Sequence, residues 1–478
     1  MSFISPDYVV FFAVVVPLFF VIPQRGRWVL LLAASYLFYG YLNPWYLPLI
    51  VVVTAVNYLA ARVIADSDRT GVRRGALIAA ALVSLGLLFV FKYFDFFSAS
   101  AAALTGAPPL LLELVLPVGI SFYTFQALAY TIDVYRGQIA PERHFGIMAT
   151  FVAFFPQLVA GPIERAANLL PQFRDRQRFD RGEAVEGFRI ILWGLFKKVV
   201  IADRLALYVN AVYNQPDQYT GLPLIVATVF FAFQIYCDFS GYSDIAIGTA
   251  RVLGFRLMDN FRQPYLAQSP REFWARWHIS LSTWFRDYVY IPLGGNRRGR
   301  RRTLINLFVV FLVSGLWHGA NWTFVVWGAL HGLYVVIEAA LAQRGVRLLR
   351  GGGALAQAVR IGGTFVLVTV AWVFFRANSI SDAGYVLTQA WTFRGDDLFA
   401  PFASGALLGA QVEFWLAWAL IGLLLLVERS AARAGSFTPR WSALSPALRW
   451  AAYYAAGAAV LFSGVYGSGA QQFIYFQF

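Results

Sequence analysis

Two histidines lie inside an apolar run that is long enough to cross a lipid bilayer. The segment SGLWHGANWTFVVWGALHG, residues 314–332, contains His318 and His331. A neutral imidazole accepts a proton at one ring nitrogen and donates one from the other, so it can serve as a general base or a proton relay. Ionisable residues at membrane depth usually face a functional interior rather than lipid. His318 is therefore a candidate reaction residue.

A second set of polar residues lies in the apolar segment QIYCDFSGYSDIAIG, residues 234–248. Gln234, Asp238 and Tyr242 recur every four residues, so they share one face of a helix. An intramembrane carboxylate is costly unless it is paired. We therefore interpret Asp238 and Tyr242 as parts of a polar contact between helices, with direct support of catalysis as the alternative.

Residues 251–302 form the longest basic connection between apolar runs, with eleven arginines and three acidic residues. Its interleaved aromatic and basic residues predict a cytoplasmic segment at the membrane interface. Arg276 and Arg286 flank His278 and are candidate ligands for the phosphate groups of a donor. The alternative for both is anchoring of a cytoplasmic loop by positive charge.

Composition excludes a soluble globular protein. The 478 residues are 59% hydrophobic and only 13% charged, which is typical of a polytopic membrane protein. The net charge of +14 does not indicate a nucleic-acid partner, because the arginines alternate with apolar runs instead of forming one basic face. The single Cys237 excludes an internal disulfide and a cysteine-rich metal site, and we predict no metal centre.

About a dozen apolar runs predict an all-α polytopic protein that forms one membrane domain over residues 1–478. The first run, residues 8–22, is interpreted as a retained helix rather than a signal peptide. Residues 146–162 are interrupted by Pro156 and Gly161, which favours a re-entrant segment. Arginines fall on alternate connections, and the positive-inside rule then puts both termini on the extracytoplasmic side.

The three histidines of this region are expected at different depths. A helix that rises 1.5 Å per residue from Arg302 at the cytoplasmic edge would put His318 roughly 24 Å into the membrane. His331 would lie near mid-depth, whereas His278 belongs to the cytoplasmic connection. The three residues thus mark a path between the two faces.

Four motifs taken together resemble the membrane-bound O-acyltransferase family. They are FFPQLVAGPIER, QIYCDFSGYSDIAIG, REFWARWHISLSTWFRDYVYIPLGGNR and SGLWHGANWTFVVWGALHG. They are most similar to the bacterial branch that includes the alginate O-acetyltransferase membrane subunit. The resemblance implies a ring of tilted transmembrane helices around a central funnel, with re-entrant and interfacial helices.

The resemblance also implies roles for individual residues. His318 corresponds to the catalytic histidine of the WHG motif, and His278 takes the second catalytic position. Burial disfavours an imidazolium, so His318 is expected to be neutral and able to act as a general base. His331 and Asn321 are candidate supporting residues, with a purely structural role as the alternative.

The C-terminal motif FIYFQF, residues 473–478, is predicted to be extracytoplasmic. Its aromatic residues could simply anchor the chain end at the membrane interface. The resemblance implies a second role, in which Tyr475 carries the acyl group or docks an extracytoplasmic transferase. A phenol would then need His318 nearby for activation.

The implied activity is O-acetylation of an extracytoplasmic polysaccharide from the bacterial cytoplasmic (inner) membrane, as in alginate biosynthesis. The acetyl donor would be cytoplasmic acetyl-CoA, a substrate rather than a bound cofactor. Membrane lipid and an extracytoplasmic transferase are the expected partners. Two alternatives stay open, namely D-alanyl transfer to cell-wall polymers and a non-catalytic role in a polysaccharide export complex. The sequence does not identify the polysaccharide.

Overall fold

The chain is all-α in a computed structural model, which describes residues 1–41, 43–159, 161–345, 352–403, 405–406, 408–434, 445–466 and 473–474. These residues form nineteen α-helices joined by loops and short 3-10 or π-helical turns, and they contain no β-strand. In chain order the helices are α1 (Pro6–Val21), α2 (Gln24–Gly40), α3 (Leu47–Asp66), α4 (Thr70–Leu88), α5 (Phe94–Thr105), α6 (Ile120–Tyr135), α7 (Phe145–Ala153), α8 (Ala166–Arg174), α9 (Arg181–Leu195), α10 (Asp203–Asn214), α11 (Leu222–Val252), α12 (Pro270–Arg276), α13 (Ile279–Phe285), α14 (Arg300–His318), α15 (Trp322–Gln343), α16 (Ala354–Arg376), α17 (Ile380–Gln389), α18 (Ala410–Ala434) and α19 (Pro446–Ser463).

Six helical stretches among the described residues are long and apolar enough to cross a membrane, which confirms a multi-pass membrane protein. They are Pro44–Asp66, Thr70–Thr105, Leu222–Val252, Trp322–Gln343, Ala354–Arg376 and Ala410–Ser430. Helix α1 is also apolar but shorter. The count of about a dozen passes and the ring arrangement stay predictions, because helices such as α2, with 17 residues, fall below the length of about 20 that spans a bilayer unaided.

Helix α11 differs from the other candidate spans because most of its surface is covered by protein. Of its most apolar window, 83% is buried, against 17% for Thr70–Thr105. Gln234, Asp238 and Tyr242 all lie on this continuous helix and all are buried. The predicted helical spacing of the three polar residues is thus confirmed.

The chain divides into two compact units. The first comprises residues 1–191 and 242–259, and the second comprises residues 192–241 and 260–478. The boundaries therefore fall within α9, within α11 and after residue 259. The interpretation of residues 1–478 as a single membrane domain is not tested by this division and stays a prediction.

In the first unit, polar side chains join α3 to both α4 and α6. The amide of Asn57 donates to the hydroxyl of Ser84 on α4 at 2.8 Å, and the hydroxyl of Thr131 on α6 donates to the amide oxygen of Asn57 at 2.7 Å. All three side chains are buried. Hydrogen bonds of this kind hold membrane helices together where apolar burial provides no preference between protein and lipid.

The segment after α7 is not helical in the described residues up to the start of α8. Helix α7 has only nine residues, too few to cross a hydrocarbon core of about 30 Å. Glu164 is completely buried in this segment, where it accepts hydrogen bonds from the backbone N–H of Met258 at 2.6 Å and from the amide of Asn168 at 2.8 Å. Burial raises the pKa of Glu164 to about 7.

In the second unit, α14 and α15 form a helical hairpin whose two halves approach closely at glycine. A Cβ atom on Gly315 would lie 2.4 Å from the carbonyl oxygen of Phe324, and one on Gly328 would lie 2.5 Å from that of Phe311. Small residues permit this approach between membrane helices. The hairpin thereby packs His318, the last residue of α14, against α15.

Candidate active site

His278 and His318 lie side by side in the second unit. Their ring centroids are 6.4 Å apart, and the indole of Trp317 lies 5.9 Å from the first ring and 5.0 Å from the second. Both residues are buried, with 0% and 2% exposure. Two residues that are 40 positions apart in the sequence therefore form one buried histidine pair.

The end of α14 explains where His318 sits. Gly319 follows it in an extended conformation, and a Cβ atom there would lie 2.1 Å from the ring of Phe324. Asn321 then begins α15, because its side-chain oxygen accepts a hydrogen bond from the backbone N–H of Thr323 at 3.0 Å. Its amide nitrogen donates to the carbonyl of Asn378 at 3.4 Å. Asn321 thus has a clear capping role, and its support of catalysis stays a prediction.

His278 has a left-handed backbone conformation, with φ 43° and ψ 55°, which is unusual for a residue other than glycine. Asn260 holds the two residues that follow His278. The carbonyl of Asn260 accepts from the N–H of Ile279 at 3.0 Å, and its side-chain oxygen accepts from the hydroxyl of Ser280 at 2.6 Å. Strained backbone held in this way is common at active sites.

Burial also determines the protonation state of His278. It lowers the pKa of this imidazole from 6.5 to about 3, because a buried imidazolium loses its hydration. The ring is therefore neutral at physiological pH. The structure buries His278 beside His318, between the seven-residue helices α12 and α13. Its place in a cytoplasmic connection stays a prediction.

Trp327 contacts both His318 and His331. The indole centroid of Trp327 is 4.8 Å from the ring of His318 and 4.9 Å from that of His331. The indole N–H of Trp274 donates to Nδ1 of His331 at 3.2 Å. Because Nδ1 accepts, neutral His331 carries its proton on Nε2. This geometry gives His331 a defined structural partner and leaves its role in catalysis a prediction.

Aromatic residues enclose the histidine pair on other sides as well. The ring of Phe239 on α11 lies 4.6 Å from His278, and the ring of Phe375 on α16 lies 5.5 Å from His318. Such walls exclude bulk water, and they strengthen any hydrogen bond made inside the site.

Asp238 is paired, as its position on α11 predicts. Its carboxylate lies 2.6 Å from the ammonium of Lys198, and its other oxygen accepts from the backbone N–H of Ile474 at 2.8 Å. Ile474 and Phe473 are buried, and the ring of Phe473 lies 5.7 Å from that of Phe239. Tyr475, the candidate acyl carrier, lies outside the described residues.

The other candidates have different surroundings. Arg276 pairs with Glu272 at 2.5 Å within α12, and Arg286 pairs with Asp287 at 2.8 Å. The structure thus gives both arginines an acidic neighbour, and their contact with a donor stays a prediction. Tyr242 belongs to the first unit, where its hydroxyl lies 3.1 Å from that of Ser2.

Sequence analysis missed Lys198 and Asn260. The sequence signal for Lys198 is that it and Lys197 are the two lysines in the apolar run of residues 188–213. That signal is detectable, because charged residues in such runs need partners. Asn260 carries no comparable signal. Among the described residues, no group of three histidine, cysteine or acidic side chains could hold a metal ion.

The arrangement suits acyl transfer to a hydroxyl. A neutral imidazole can take the hydroxyl proton as the oxygen attacks, and a second imidazole can donate a hydrogen bond to the oxyanion that develops. Aromatic walls would protect the reacting group from hydrolysis. Comparison with known proteins agrees with this chemistry.

Residues 142–378 match the MBOAT family, described as the membrane-bound O-acyltransferase family. This range contains His278, His318 and His331. The chain is 42% identical over 407 residues to the probable alginate O-acetylase of Pseudomonas putida, covering 84% of this chain and 82% of that protein. It is 37% identical over 384 residues to the peptidoglycan O-acetyltransferase of Helicobacter pylori, covering 75% and 72%.

More distant similarity extends to the teichoic acid D-alanyltransferase of Streptococcus thermophilus, at 29% identity over 241 residues, or 46% of this chain and 56% of that protein. The alginate and peptidoglycan relatives match this chain at much higher identity and over most of their own length. The chain therefore belongs to the membrane-bound O-acyltransferase family and is an O-acyltransferase.

Proposed function

We propose that this protein transfers an acetyl group from cytoplasmic acetyl-CoA to an extracytoplasmic polysaccharide, with His318 as general base. The single observation that carries the proposal is the buried histidine pair, His278 and His318, at 6.4 Å between ring centroids. The names of two relatives, an alginate O-acetylase and a peptidoglycan O-acetyltransferase, support acetyl as the transferred group. The weaker match to a D-alanyltransferase makes D-alanyl transfer the less favoured alternative.

The proposed reaction is acyl transfer from a thioester to an alcohol. His318 removes the hydroxyl proton while the oxygen attacks the acetyl carbonyl, and His278 donates a hydrogen bond to the oxyanion. The carbon–sulfur bond then breaks, and His318 returns the proton to the thiolate that leaves. The products are the acetyl ester and free coenzyme A, so neither histidine is consumed.

The acceptor in this scheme is either a sugar hydroxyl or the phenol of Tyr475. In the second case the acetyl group passes to Tyr475 first and then to the polysaccharide through an extracytoplasmic transferase. Support comes from residues 473–474, which contact Asp238 and Phe239 in the same unit as the histidine pair. We assign the protein to the bacterial cytoplasmic membrane, with both termini extracytoplasmic.

The test uses purified protein in lipid nanodiscs with radiolabelled acetyl-CoA. His318→Asn should lower acetyl transfer at least about a hundredfold, because asparagine cannot act as a base and general-base catalysis contributes about 10²–10⁴-fold. His144→Asn is the matched control. His144 is exposed and caps α7 through Nδ1, a task that asparagine also performs.

Three outcomes decide the proposal. Full activity in His318→Asn would overturn the role of His318. Label that appears on the chain in wild type but not in Tyr475→Phe would support the relay through the phenol. Transfer of D-alanine in preference to acetyl would overturn the assignment of the acyl group while leaving the enzyme class unchanged.

A further inference from the structure

Asp238 binds the backbone of Ile474, close to the end of the sequence, and not its side chain. Its Oδ2 accepts the hydrogen bond from the N–H of Ile474 at 2.8 Å, across 236 residues of sequence. Its Oδ1 lies 2.6 Å from the ammonium of Lys198. Asp238 and Ile474 are 3% and 4% exposed, so this hydrogen bond forms away from water. A charged acceptor in such surroundings makes a strong hydrogen bond.

Charge balance explains why a backbone donor is favourable at this point. Lys198 lies between two carboxylates, 2.7 Å from Asp203 and 2.6 Å from Asp238, and all three side chains are buried. One ammonium thus faces two carboxylates. Burial of a charged group is costly unless hydrogen bonds compensate for lost hydration. The N–H of Ile474 supplies one such bond to the carboxylate of Asp238.

The residues between α9 and α10 form the contacts that hold Lys198 in this arrangement. Residues Phe196–Ala202 form a π-helical segment, a feature that is frequent at functional sites. The segment carries Lys198, and the carbonyl of its next residue, Val199, accepts from the N–H of Val465 at 2.9 Å. The guanidinium of Arg204, just beyond the segment, donates to the carbonyl of Ser463 at 2.8 Å. One short stretch therefore binds both the last residue of α19 and the chain just after it.

Aromatic contacts connect the docked chain end to the histidine pair. Phe473 packs on Phe239 at 5.7 Å between ring centroids, and Phe239 packs on His278 at 4.6 Å. Phe239 directly follows Asp238 in α11, so neighbouring residues of one helix contact both the chain end and the candidate catalytic residue.

We propose that Asp238, oriented by Lys198, is a positioning residue that docks the C-terminal segment, namely Phe473 and Ile474, beside the histidine pair. The docked backbone fixes Ile474, and the residue that follows it is Tyr475, the phenol acceptor of the proposed function, on which this inference rests. Asp238 touches neither donor nor acceptor in this role. It determines the fraction of protein molecules in which the C-terminal segment is docked.

The first test removes only the donor of this hydrogen bond. Ile474→Pro lacks the backbone N–H, whereas Ile474→Val keeps it along with most of the side chain. Neither change alters the side chains of the ion pair between Lys198 and Asp238. Acetyl transfer should fall about tenfold or more in Ile474→Pro, and Ile474→Val should restore it to within about twofold of wild type, in line with the contribution of a hydrogen bond to a charged acceptor. Equal activity of the two variants would overturn the proposal.

The second test measures docking without catalysis. Hydrogen exchange of the C-terminal peptide, followed by mass spectrometry on the full chain in nanodiscs, should become about tenfold faster in Asp238→Asn. Glu164→Gln is the matched control, because Glu164 belongs to the first unit, is equally buried and likewise accepts a hydrogen bond from a backbone N–H, that of Met258 at 2.6 Å. Its C-terminal exchange and its activity per folded molecule should match wild type. Equally fast exchange in both variants would mean general loosening and would overturn the proposal.

Failure of this inference is distinguishable from failure of the proposed function. If Asp238→Asn releases the C-terminal segment and acetyl transfer continues unchanged, the docking site is real but positions nothing, and the inference is wrong while the acetyltransferase assignment stands. If instead His318→Asn keeps full activity, the proposed function fails even though release of the segment is still observed.

Discussion

The indole of Trp327 lies 4.8 Å from the imidazole of His318, centroid to centroid, with the two planes at 80°. This edge-to-face arrangement restricts the rotation of the imidazole, since both rings are buried. Trp327 is held in turn by Trp372 on α16, at 5.8 Å and 22° between planes. The orientation of the candidate base is thus determined by packing on helices other than its own.

Replacement of Trp327 should therefore lower the rate constant and leave substrate affinity largely unchanged. We expect Trp327→Leu to reduce kcat about tenfold, because aromatic pairs contribute about 0.5–1.5 kcal/mol beyond burial and the imidazole would lose its fixed orientation. Trp327→Phe keeps an aromatic edge and should lose about threefold. Steady-state kinetics separate kcat from KM. An unchanged kcat in Trp327→Leu would contradict an orienting role.

His278→Asn should retain more activity than any apolar replacement at this position. Asparagine is neutral, as His278 is with its pKa of about 3, and it keeps a hydrogen-bond donor. It also tolerates the left-handed backbone that His278 adopts at φ 43°. We expect about a tenfold loss of kcat for His278→Asn.

The matched variant is His278→Val, which lacks a donor and places a β-branched side chain at positive φ. This should lower the free energy of unfolding by about 1–3 kcal/mol in addition to abolishing transfer. Thermal unfolding and acetyl transfer, measured on the same samples, test both effects. Comparable activity of the asparagine and valine variants would show that the donor of His278 is not needed.

The pH dependence of stability should report Glu164. Its folded pKa of about 7 exceeds the ordinary value of 4.5, so between these pH values the folded protein keeps a proton that the unfolded chain has lost. The free energy of unfolding therefore falls as pH rises from about 4.5 to about 7. In Glu164→Gln, the decrease in the free energy of unfolding between pH 5 and pH 8 should be about 1–3 kcal/mol smaller than in wild type. Unfolding midpoints at the two pH values measure it. An identical decline in the variant would contradict the raised pKa.

Regular features of the site could be predicted from sequence. Gln234, Asp238 and Tyr242 were expected on one helix face because helical spacing is local, and α11 confirms it. Helix α14 is continuous from Arg300 to His318, as the argument from helical rise requires, and the depth of His318 in the membrane stays a prediction. The contact of His318 with His278 did not follow, because α13, a π-helical turn and α14 separate the two residues in sequence and the left-handed backbone at His278 has no signature in a histidine.

The docking of the chain end was even less predictable. Asp238 and Lys198 are 40 residues apart, and Ile474 contributes a backbone N–H, a group that every residue except proline carries. The sequence indicated that the carboxylate needs a partner and did not indicate which one. Only the packing of the π-helical segment before α10, of α11 and of residues 473–474 determines that choice.

The approach of α14 and α15 gives a final prediction, about how His318 is held. Gly315→Ala would place its Cβ 2.4 Å from the carbonyl oxygen of Phe324, and backbone cannot yield as a flexible side chain can. We expect the free energy of unfolding to fall by about 2–3 kcal/mol. Acyl transfer should fall by more than the loss of folded protein explains, because the displaced hairpin moves His318. Gly362→Ala on α16, where no atom lies within 4 Å of the new Cβ, should be neutral or slightly stabilising. If both variants unfold alike and transfer alike, the close approach at Gly315 does not position the candidate base.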